Sequence, residues 1–135
     1  MSLLVDTDVL IWHLRGYAQA TERLDQLPAL VMSSVSYFEI LQGMRNKVEL
    51  LAFKKMLAQR QAQLLPITPA ITARTGDLLE ALTLSHGLGM GDALIAATAL
   101  EHSLTVLTAN TKHFAAVDGL RLDEFLIRPE PIAGK

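Results

Sequence analysis

The sequence has no cysteine, few charged residues and few aromatic residues. Of 135 residues, 19% are charged and seven are aromatic (one Trp, two Tyr, four Phe). The absence of cysteine excludes a disulfide-stapled secreted fold, cysteine-ligated zinc and cysteine nucleophiles. Few aromatic rings leave few platforms on which bases could stack. Half of the residues are hydrophobic, which is enough for one folded domain and excludes a disordered chain.

The sequence also lacks long hydrophobic runs. No stretch of about 18 apolar residues occurs, so we expect no membrane span. Residues 1–12 lack the basic start of a signal peptide. These absences predict a cytoplasmic protein without membrane contact.

Basic residues are missing from the most apolar stretches, although acidic ones occur there. The acids are Asp6 and Asp8 before residue 15, Glu39 between residues 25 and 45, and Asp92 and Glu101 between residues 80 and 112. Burying a carboxylate is costly unless it is paired or bound to a metal. The pattern therefore favours a functional role for some of these acids, with Glu101 more typical of a solvated position.

Short apolar runs alternate with segments of helical periodicity. The predicted strands are Ser2–Val5, Ala29–Ser33, Leu64–Ile67, Leu104–Thr108 and Leu120–Leu122. The predicted helices are Thr7–Arg15, Ala18–Leu27, Ser34–Met44, Val48–Gln63, Ala70–His86 and Asp92–His102. This alternation predicts one α/β domain over residues 1–127, with a mostly parallel sheet of four or five strands covered on both faces. Residues 128–135 hold two prolines and a glycine, which predicts a loose tail.

Two candidate site residues follow predicted strands. Asp6 comes directly after the first strand and Asn110 just beyond the fourth. Ligands bind beyond the carboxyl ends of parallel strands, so both residues are expected at one edge. The structural alternatives are that Asp6 or Thr7 caps the following helix and that Asp8 complements the helix dipole.

Glu39 and Asp92 each have a structural and a functional interpretation. Ser36 and Glu39 have capping-box spacing, whereas a cap at Ser34 would place Glu39 a turn inside its helix. Asp92 is predicted to open a nearly all-apolar helix after the glycine-rich residues 87–91. Such a helix is usually buried, so an ionised carboxylate at its start would gain from a cation.

If Asp6, Glu39 and Asp92 converge, their mutual repulsion raises their pKa values. A divalent cation relieves this repulsion, and oxygen ligands select Mg²⁺ or Mn²⁺. Such an ion activates water and offsets charge on a phosphate, which favours phosphodiester hydrolysis. No HExxH or similar spacing of histidines supports zinc.

Four stretches match a known family in order and spacing. They are Leu4–Ile11 (LVDTDVLI), Ser34–Gly43 (SVSYFEILQG), Gly91–Ala99 (GDALIAATA) and Thr105–Phe114 (TVLTANTKHF). Together they resemble the PIN-domain ribonucleases, in particular the VapC toxins of type II toxin–antitoxin systems. The resemblance covers nearly the whole chain and implies a three-layer α/β/α sandwich.

The resemblance implies a Mg²⁺- or Mn²⁺-dependent endoribonuclease that acts as a toxin, hydrolysing RNA with a metal-activated water. Its implied catalytic residues are Asp6, Glu39, Asp92 and Asn110. Asp6 and Asp92 are implied as principal metal ligands, and Glu39 as a ligand or a residue that positions water. Asn110 stands where many relatives have Asp, and it still offers a neutral oxygen.

Further implied features concern the surroundings of the acids. Thr108 and Asp8 are supporting residues, since Thr108 can donate a hydrogen bond within the cluster. His113 occupies a position where an Asp often precedes the phenylalanine, which leaves the fourth ligand open.

The family also implies partners. They are a small VapB-like antitoxin whose tail covers the cleft, a structured RNA such as tRNA or rRNA, and a second copy in a homodimer, with higher assembly on antitoxin binding. The predicted RNA-binding residues are Arg45, Lys47, Lys54, Lys55 and Arg60, which stand against a single acid, Glu49. They could track phosphates; the alternative is an ordinary solvated helix face.

Two alternative functions remain open. Asp6 and Asp8 imitate the DxD motif of haloacid-dehalogenase-like phosphatases, with Asp6 as nucleophile and Asp8 as acid/base, but the order of the later motifs is wrong. Asn110, which departs from the Asp of many relatives, leaves open a PIN-like regulator that binds nucleic acid without cutting it. The presence of Asp6, Glu39 and Asp92 argues against this regulator.

Overall fold

A five-stranded parallel sheet forms the centre of the computed structural model, which describes residues 2–128. The strands are β1 (Leu3–Val5), β2 (Val31–Ser33), β3 (Gln63–Leu65), β4 (Thr105–Thr108) and β5 (Leu122–Glu124). The helices are α1 (Thr7–Leu14), α2 (Ala18–Asp25), α3 (Ser34–Gln42), α4 (Lys47–Gln59), α5 (Pro69–His86) and α6 (Met90–His102), with a 3₁₀ helix at Thr111–His113. The predicted three-layer α/β/α sandwich is confirmed, and every strand pairing is parallel.

The two faces of the sheet build two separate hydrophobic cores. Val5, Met32 and Leu107 pack with the residues of α1 and α2 on one face. Their sequence neighbours on the same strands pack with α6 on the other. Because successive side chains of a strand point to opposite faces, each short strand contributes to both cores. This explains why the strands are continuously apolar rather than alternating.

The strand order creates one point where the chain reverses direction across the sheet. The order is β3-β2-β1-β4-β5, so the chain leaves β1 toward one side while β4 lies on the other. The backbone N–H of Asp6 donates to the carbonyl of Leu107 at 2.9 Å, which keeps β1 and β4 paired to their carboxyl ends. In open α/β sheets this switch point is where ligands bind.

Several element boundaries differ from the predicted ones. The helix predicted to reach Gln63 ends at Gln59, since Gln61 takes a positive φ of 51° and the chain turns into β3. Pro66 follows β3, which lies at the sheet edge, where a proline is tolerated. The last strand begins at Leu122 rather than ending there.

The most buried helix is α6, as its composition predicted. Its Ala93, Ala96, Ala97 and Ala99 are fully buried. The prediction that Asp92 opens this helix is wrong: the helix begins at Met90 after an extended Gly89. Asp92 instead lies within the first turn, where the positive end of the helix dipole favours a carboxylate.

The predicted C-terminal tail lies almost entirely outside the described residues. Of residues 128–135, only Arg128 is described, so the loose tail and the domain limit at residue 127 stay predictions. Within residues 2–128, no helix has the length and apolar character that crossing a membrane requires.

Phe53 is expected to hold α4 against α3. Its ring is fully buried and stacks on Tyr37 with a centroid distance of 5.8 Å. We predict that Phe53→Ala lowers the free energy of unfolding by about 3–5 kcal/mol in urea denaturation, because it leaves a cavity. Leu51→Ala is the matched control on the same helix: Leu51 is 58% exposed, so a change within about 0.5 kcal/mol is expected. Equal effects of both variants would contradict this packing role.

Candidate active site at the carboxyl ends of β1 and β4

Asp6 lies at the centre of the site, and it is also a helix cap. It is the N-cap of α1, with Oδ1 accepting from the backbone N–H of Thr7 at 2.8 Å. Its other oxygen, Oδ2, accepts from the Thr108 hydroxyl at 2.8 Å across the β1–β4 junction. Asp6 is only 5% exposed. The capping hydrogen bond therefore fixes the Asp6 carboxylate at the switch point, so capping α1 and serving in the site are compatible roles.

The surroundings of Asp6 disfavour its ionised form. Burial, followed by the nearby carboxylates of Asp8 and Asp92, raises the pKa of Asp6 to about 7, against the opposing hydrogen bonds from Thr108 and Thr7. Desolvation and like charges both penalise a carboxylate. The raised pKa marks a group that lacks a cationic partner.

Glu39 reaches the same site from α3, within the helix rather than at its cap. The N-cap of α3 is Ser33, whose hydroxyl accepts from the backbone N–H of Val35. Neither Ser34 nor a Ser36 capping box caps the helix. The Thr7 hydroxyl donates to Glu39 Oε1 at 2.7 Å, which ties the exposed carboxylate to the start of α1.

A glycine makes room for Glu39 beside α6. A Cβ atom on Gly91 would lie 2.9 Å from Glu39 Oε2, closer than such contacts normally come. The first turn of α6 therefore passes directly against the Glu39 carboxylate. Glu39 and Asp92 are thereby held as neighbours, and Glu39 contributes to raising the pKa of Asp92.

Asp92 has a histidine neighbour that sequence spacing did not identify. His113 Nδ1 lies 3.4 Å from Asp92 Oδ2. Burial raises the pKa of Asp92, His113 opposes this, and Glu39 and Asp8 add to it. Among residues 2–128, Asp6, Glu39 and Asp92 make no ion pair with Lys or Arg, and this contact becomes an ion pair only when His113 is protonated.

Asp8 does more than complement the helix dipole of α1, which was its predicted structural role. Its Oδ2 accepts from the backbone N–H of Ala109 at 3.0 Å and from Asn110 Nδ2 at 2.9 Å. The Thr108 hydroxyl lies 3.3 Å away. Asp8 thus joins the first turn of α1 to the loop after β4. Asn110 turns its amide nitrogen toward Asp8, since a carboxylate can only accept.

Oxygen atoms from three elements could bind a cation here. Asp6 and Asp92 are partly protected from water and Glu39 is exposed, all on the carboxyl side of the sheet. Across the described part of the chain, no three His, Asp or Glu side chains are already arranged as a metal site. What the geometry supplies is a group of mutually repelling carboxylates with one histidine beside Asp92.

The five basic residues predicted to bind RNA occupy different environments. Arg45 pairs with Glu49 at 2.6 Å, and Arg60 pairs with Asp25 at 2.9 Å. The side chain of Arg60 is only 22% exposed, so it fastens α4 to α2. Lys47, Lys54 and Lys55 are exposed on α4.

Two polar residues and one basic residue of the site region were missed. Sequence spacing indicates only capping roles for Thr7 and Ser36, yet Ser36 Oγ lies 2.8 Å from the Thr7 hydroxyl and Ser36 is fully buried. A buried serine in an apolar helix is a signal that could have indicated a polar partner. Arg15 lines a groove beside Glu39, and nothing in the sequence indicated it.

Comparisons with known proteins agree with this geometry. A PIN domain family model matches residues 3–120. Ribonuclease VapC10 of Mycobacterium tuberculosis is 39% identical over 123 residues, covering 88% of this chain and 90% of the relative.

Solved structures share the fold over nearly the whole chain. A toxin–antitoxin complex from Klebsiella pneumoniae matches with a TM-score of 0.77 and 26% identity, covering 94% of this chain and all of the matched one. VapBC-1 from nontypeable Haemophilus influenzae matches with a TM-score of 0.75 and 25% identity, covering 92% and 98%.

An α/β fold with acidic residues gathered at its switch point defines the class to which this molecule belongs. More narrowly, the chain belongs to the PIN domain family, among the VapC ribonucleases. The resemblance predicted from the four sequence stretches is confirmed.

The raised pKa of Asp6 predicts how stability depends on pH. Because the pKa is about 7 in the folded protein and near 3.8 in the unfolded chain, the folded state holds the proton more tightly. Between these values the unfolded state binds fewer protons, so stability falls as pH rises. The cost is on the order of 1.4 kcal/mol per pH unit.

Asp6→Asn tests this dependence, because Asn is an equally good N-cap. In urea unfolding with EDTA, we expect the variant to be more stable than wild type at pH 8, with the difference shrinking toward pH 4. A difference that stays constant from pH 4 to 8 would contradict the raised pKa.

Proposed function

We propose that the protein is a Mg²⁺- or Mn²⁺-dependent endoribonuclease that acts as the toxin of a toxin–antitoxin pair. The observation that carries this proposal is the meeting of Asp6, Glu39 and Asp92 at the switch point of a VapC-family fold. Asp6 and Asp92 have raised pKa values and lack a Lys or Arg partner among the described residues. A divalent cation is the simplest partner for such a group.

The residues fit a hard divalent ion. Asp6 and Asp92 would hold it through carboxylate oxygens, and Glu39 would complete the site or orient water. Each oxygen of Asp6 already accepts one hydrogen bond and keeps a further lone pair. When bound, the ion supplies an activated water and offsets charge that develops on the phosphate.

The side chains around the acids have separate tasks in this proposal. Thr108 and Thr7 orient the carboxylates of Asp6 and Glu39 through hydrogen bonds of 2.8 and 2.7 Å. Glu39, the most exposed of the three acids, would accept a proton from the attacking water. His113, whose side chain is exposed, would stabilise the Asp92 carboxylate when its ring is protonated.

RNA is the proposed substrate, with tRNA or rRNA as the structured target class. Lys47, Lys54 and Lys55 are the stronger candidates for phosphate contacts, because Arg45 and Arg60 are engaged with acids. Such contacts contribute sequence-independent affinity that weakens with salt.

A cognate VapB-like antitoxin and a second copy of the chain are the proposed partners. The matched Klebsiella pneumoniae structure is a toxin–antitoxin complex. A groove of about 590 Å³ lies between α1, α3 and α4, and its lining includes Ile11, Leu14, Glu39 and Ala52. A partner segment lying in this groove would contact Glu39 of the site.

Of the two alternative functions, one is excluded and the other is tested by the cleavage experiment. Membership of the PIN family overturns the haloacid-dehalogenase-like alternative, in which Asp6 would be a phosphorylated nucleophile. A regulator that binds RNA without cutting it is a separate outcome of the cleavage experiment.

The test is cleavage of total RNA by antitoxin-free protein with Mg²⁺ or Mn²⁺. Asp6→Asn and Asp92→Asn should each lower the rate at least about 100-fold, since metal-assisted charge stabilisation is worth several kcal/mol. EDTA should have the same effect. Asp77→Asn, at an exposed acid of α5, is the matched control and should cut normally.

Each contrary result has a definite meaning. Normal cleavage by both Asp6→Asn and Asp92→Asn would contradict the proposed metal site. RNA binding by wild type without any cleavage would favour the non-cutting regulator.

Gly91→Ala tests the position of Glu39 without removing its charge. The added Cβ would displace the carboxylate, and a misplacement of about 1 Å can cost up to roughly 100-fold in rate. Gly76→Ala in α5, where a Cβ meets nothing within 4 Å, should keep full activity. Both changes favour the helix by up to about 1 kcal/mol, so urea unfolding should show no loss of stability. Normal cleavage by Gly91→Ala would contradict the role of Glu39.

A further inference from the structure

Asn110 contacts the site through two different groups. Its side-chain amide donates to Asp8 Oδ2 at 2.9 Å, and its backbone N–H donates to Thr108 Oγ1 at 3.0 Å. The Thr108 hydroxyl in turn donates to Asp6 Oδ2 at 2.8 Å. A continuous path of hydrogen bonds therefore runs from Asp8 through Asn110 and Thr108 to Asp6.

The hydroxyl of Thr108 has one proton and two acceptor neighbours. Asp6 Oδ2 is at 2.8 Å and Asp8 Oδ2 at 3.3 Å. The backbone N–H of Asn110 occupies one lone pair of this hydroxyl, and the two N–H donors from Ala109 and Asn110 occupy Asp8 Oδ2. These contacts leave the Thr108 proton directed at Asp6.

We infer that Asp8 and Asn110 are a positioning pair: the Asp8 carboxylate holds the loop after β4 so that Thr108 orients Asp6, and Asn110 must be an amide because it faces Asp8. On this inference neither residue is a metal ligand. An acid at position 110 would place a second carboxylate about 2.9 Å from Asp8, where like charges repel. The inference rests on the proposed function only where it concerns metal binding, which the second experiment below measures.

The first arm is a double-mutant cycle on stability in EDTA. We expect Asn110→Asp to lower Tm by roughly 3 °C or more. In the Asp8→Asn background the same change should cost clearly less, because the like charge is gone. A coupling of this kind isolates a direct pairwise interaction.

The matched control is Asn46→Asp, the same chemical change at the N-cap of α4. Asn and Asp cap helices about equally well, so its Tm should stay near that of wild type. Equal Tm losses from Asn110→Asp in both backgrounds would overturn the pairing of Asp8 with Asn110.

The second arm measures Mn²⁺ affinity directly, by titration calorimetry or the loss of the free-ion electron paramagnetic resonance signal. Removing a residue that orients a metal ligand typically costs 10- to 100-fold in affinity. We expect a loss in that range for Asp8→Ala, with Asp8→Asn closer to wild type because its oxygen still accepts from Ala109. Asn110→Asp should bind Mn²⁺ no more tightly than wild type.

The outcomes separate this inference from the proposed function. Tighter Mn²⁺ binding by Asn110→Asp would overturn it, because residue 110 would then act as a fourth ligand. Unchanged affinity in Asp8→Ala would also overturn it. A wild type that binds no Mn²⁺ and cuts no RNA would remove the proposed function, while the stability cycle would still decide the pairing.

Discussion

Repulsion among carboxylates that the fold forces together is the constraint on which this site depends. Asp6 cannot move away, because its backbone pairs with β4 and its side chain caps α1. Asp92 is held by a buried helix and Glu39 by the hydroxyl of Thr7. A fold that keeps such groups close without a strong cationic partner stores unfavourable electrostatic energy. On the proposed function, a divalent cation would offset this repulsion, so the same carboxylates that cost stability would supply the affinity for the ion.

Fold and site are coupled through the same short elements. Strands of three or four residues form few sheet hydrogen bonds. Most of the stability must therefore come from the two hydrophobic cores, one on each face of the sheet. The carboxyl ends of β1 and β4 are consequently held by tight packing, and this packing also fixes the positions of the acids. Hydrogen bonds from Thr108, Ala109 and Asn110 add a local polar framework. Preorganisation of this kind lets charged groups act without rearrangement during the reaction.

Several parts of the fold and site could be predicted because they depend on local pattern. The parallel sheet follows from short apolar runs between helical segments. The position of Asp6 follows from a carboxylate placed directly after the first strand. Element boundaries were less predictable, since the end of α4 depends on the left-handed conformation of Gln61, and the bounds of β5 depend on which residues pair with β4. The capping of α3 by Ser33 was missed because Ser34 and Ser36 offer the same chemistry nearby.

By itself the sequence determined the alternation of elements, the acids in apolar surroundings and the family. Those features are encoded by spacing along the chain, which a linear pattern preserves. Only the tertiary structure decided that Asp8 contacts the loop after β4, that His113 faces Asp92, and that Arg60 pairs with Asp25. These partners are separated by up to 102 residues. Which polar groups meet depends on strand order and helix packing, and local spacing does not record distances in space.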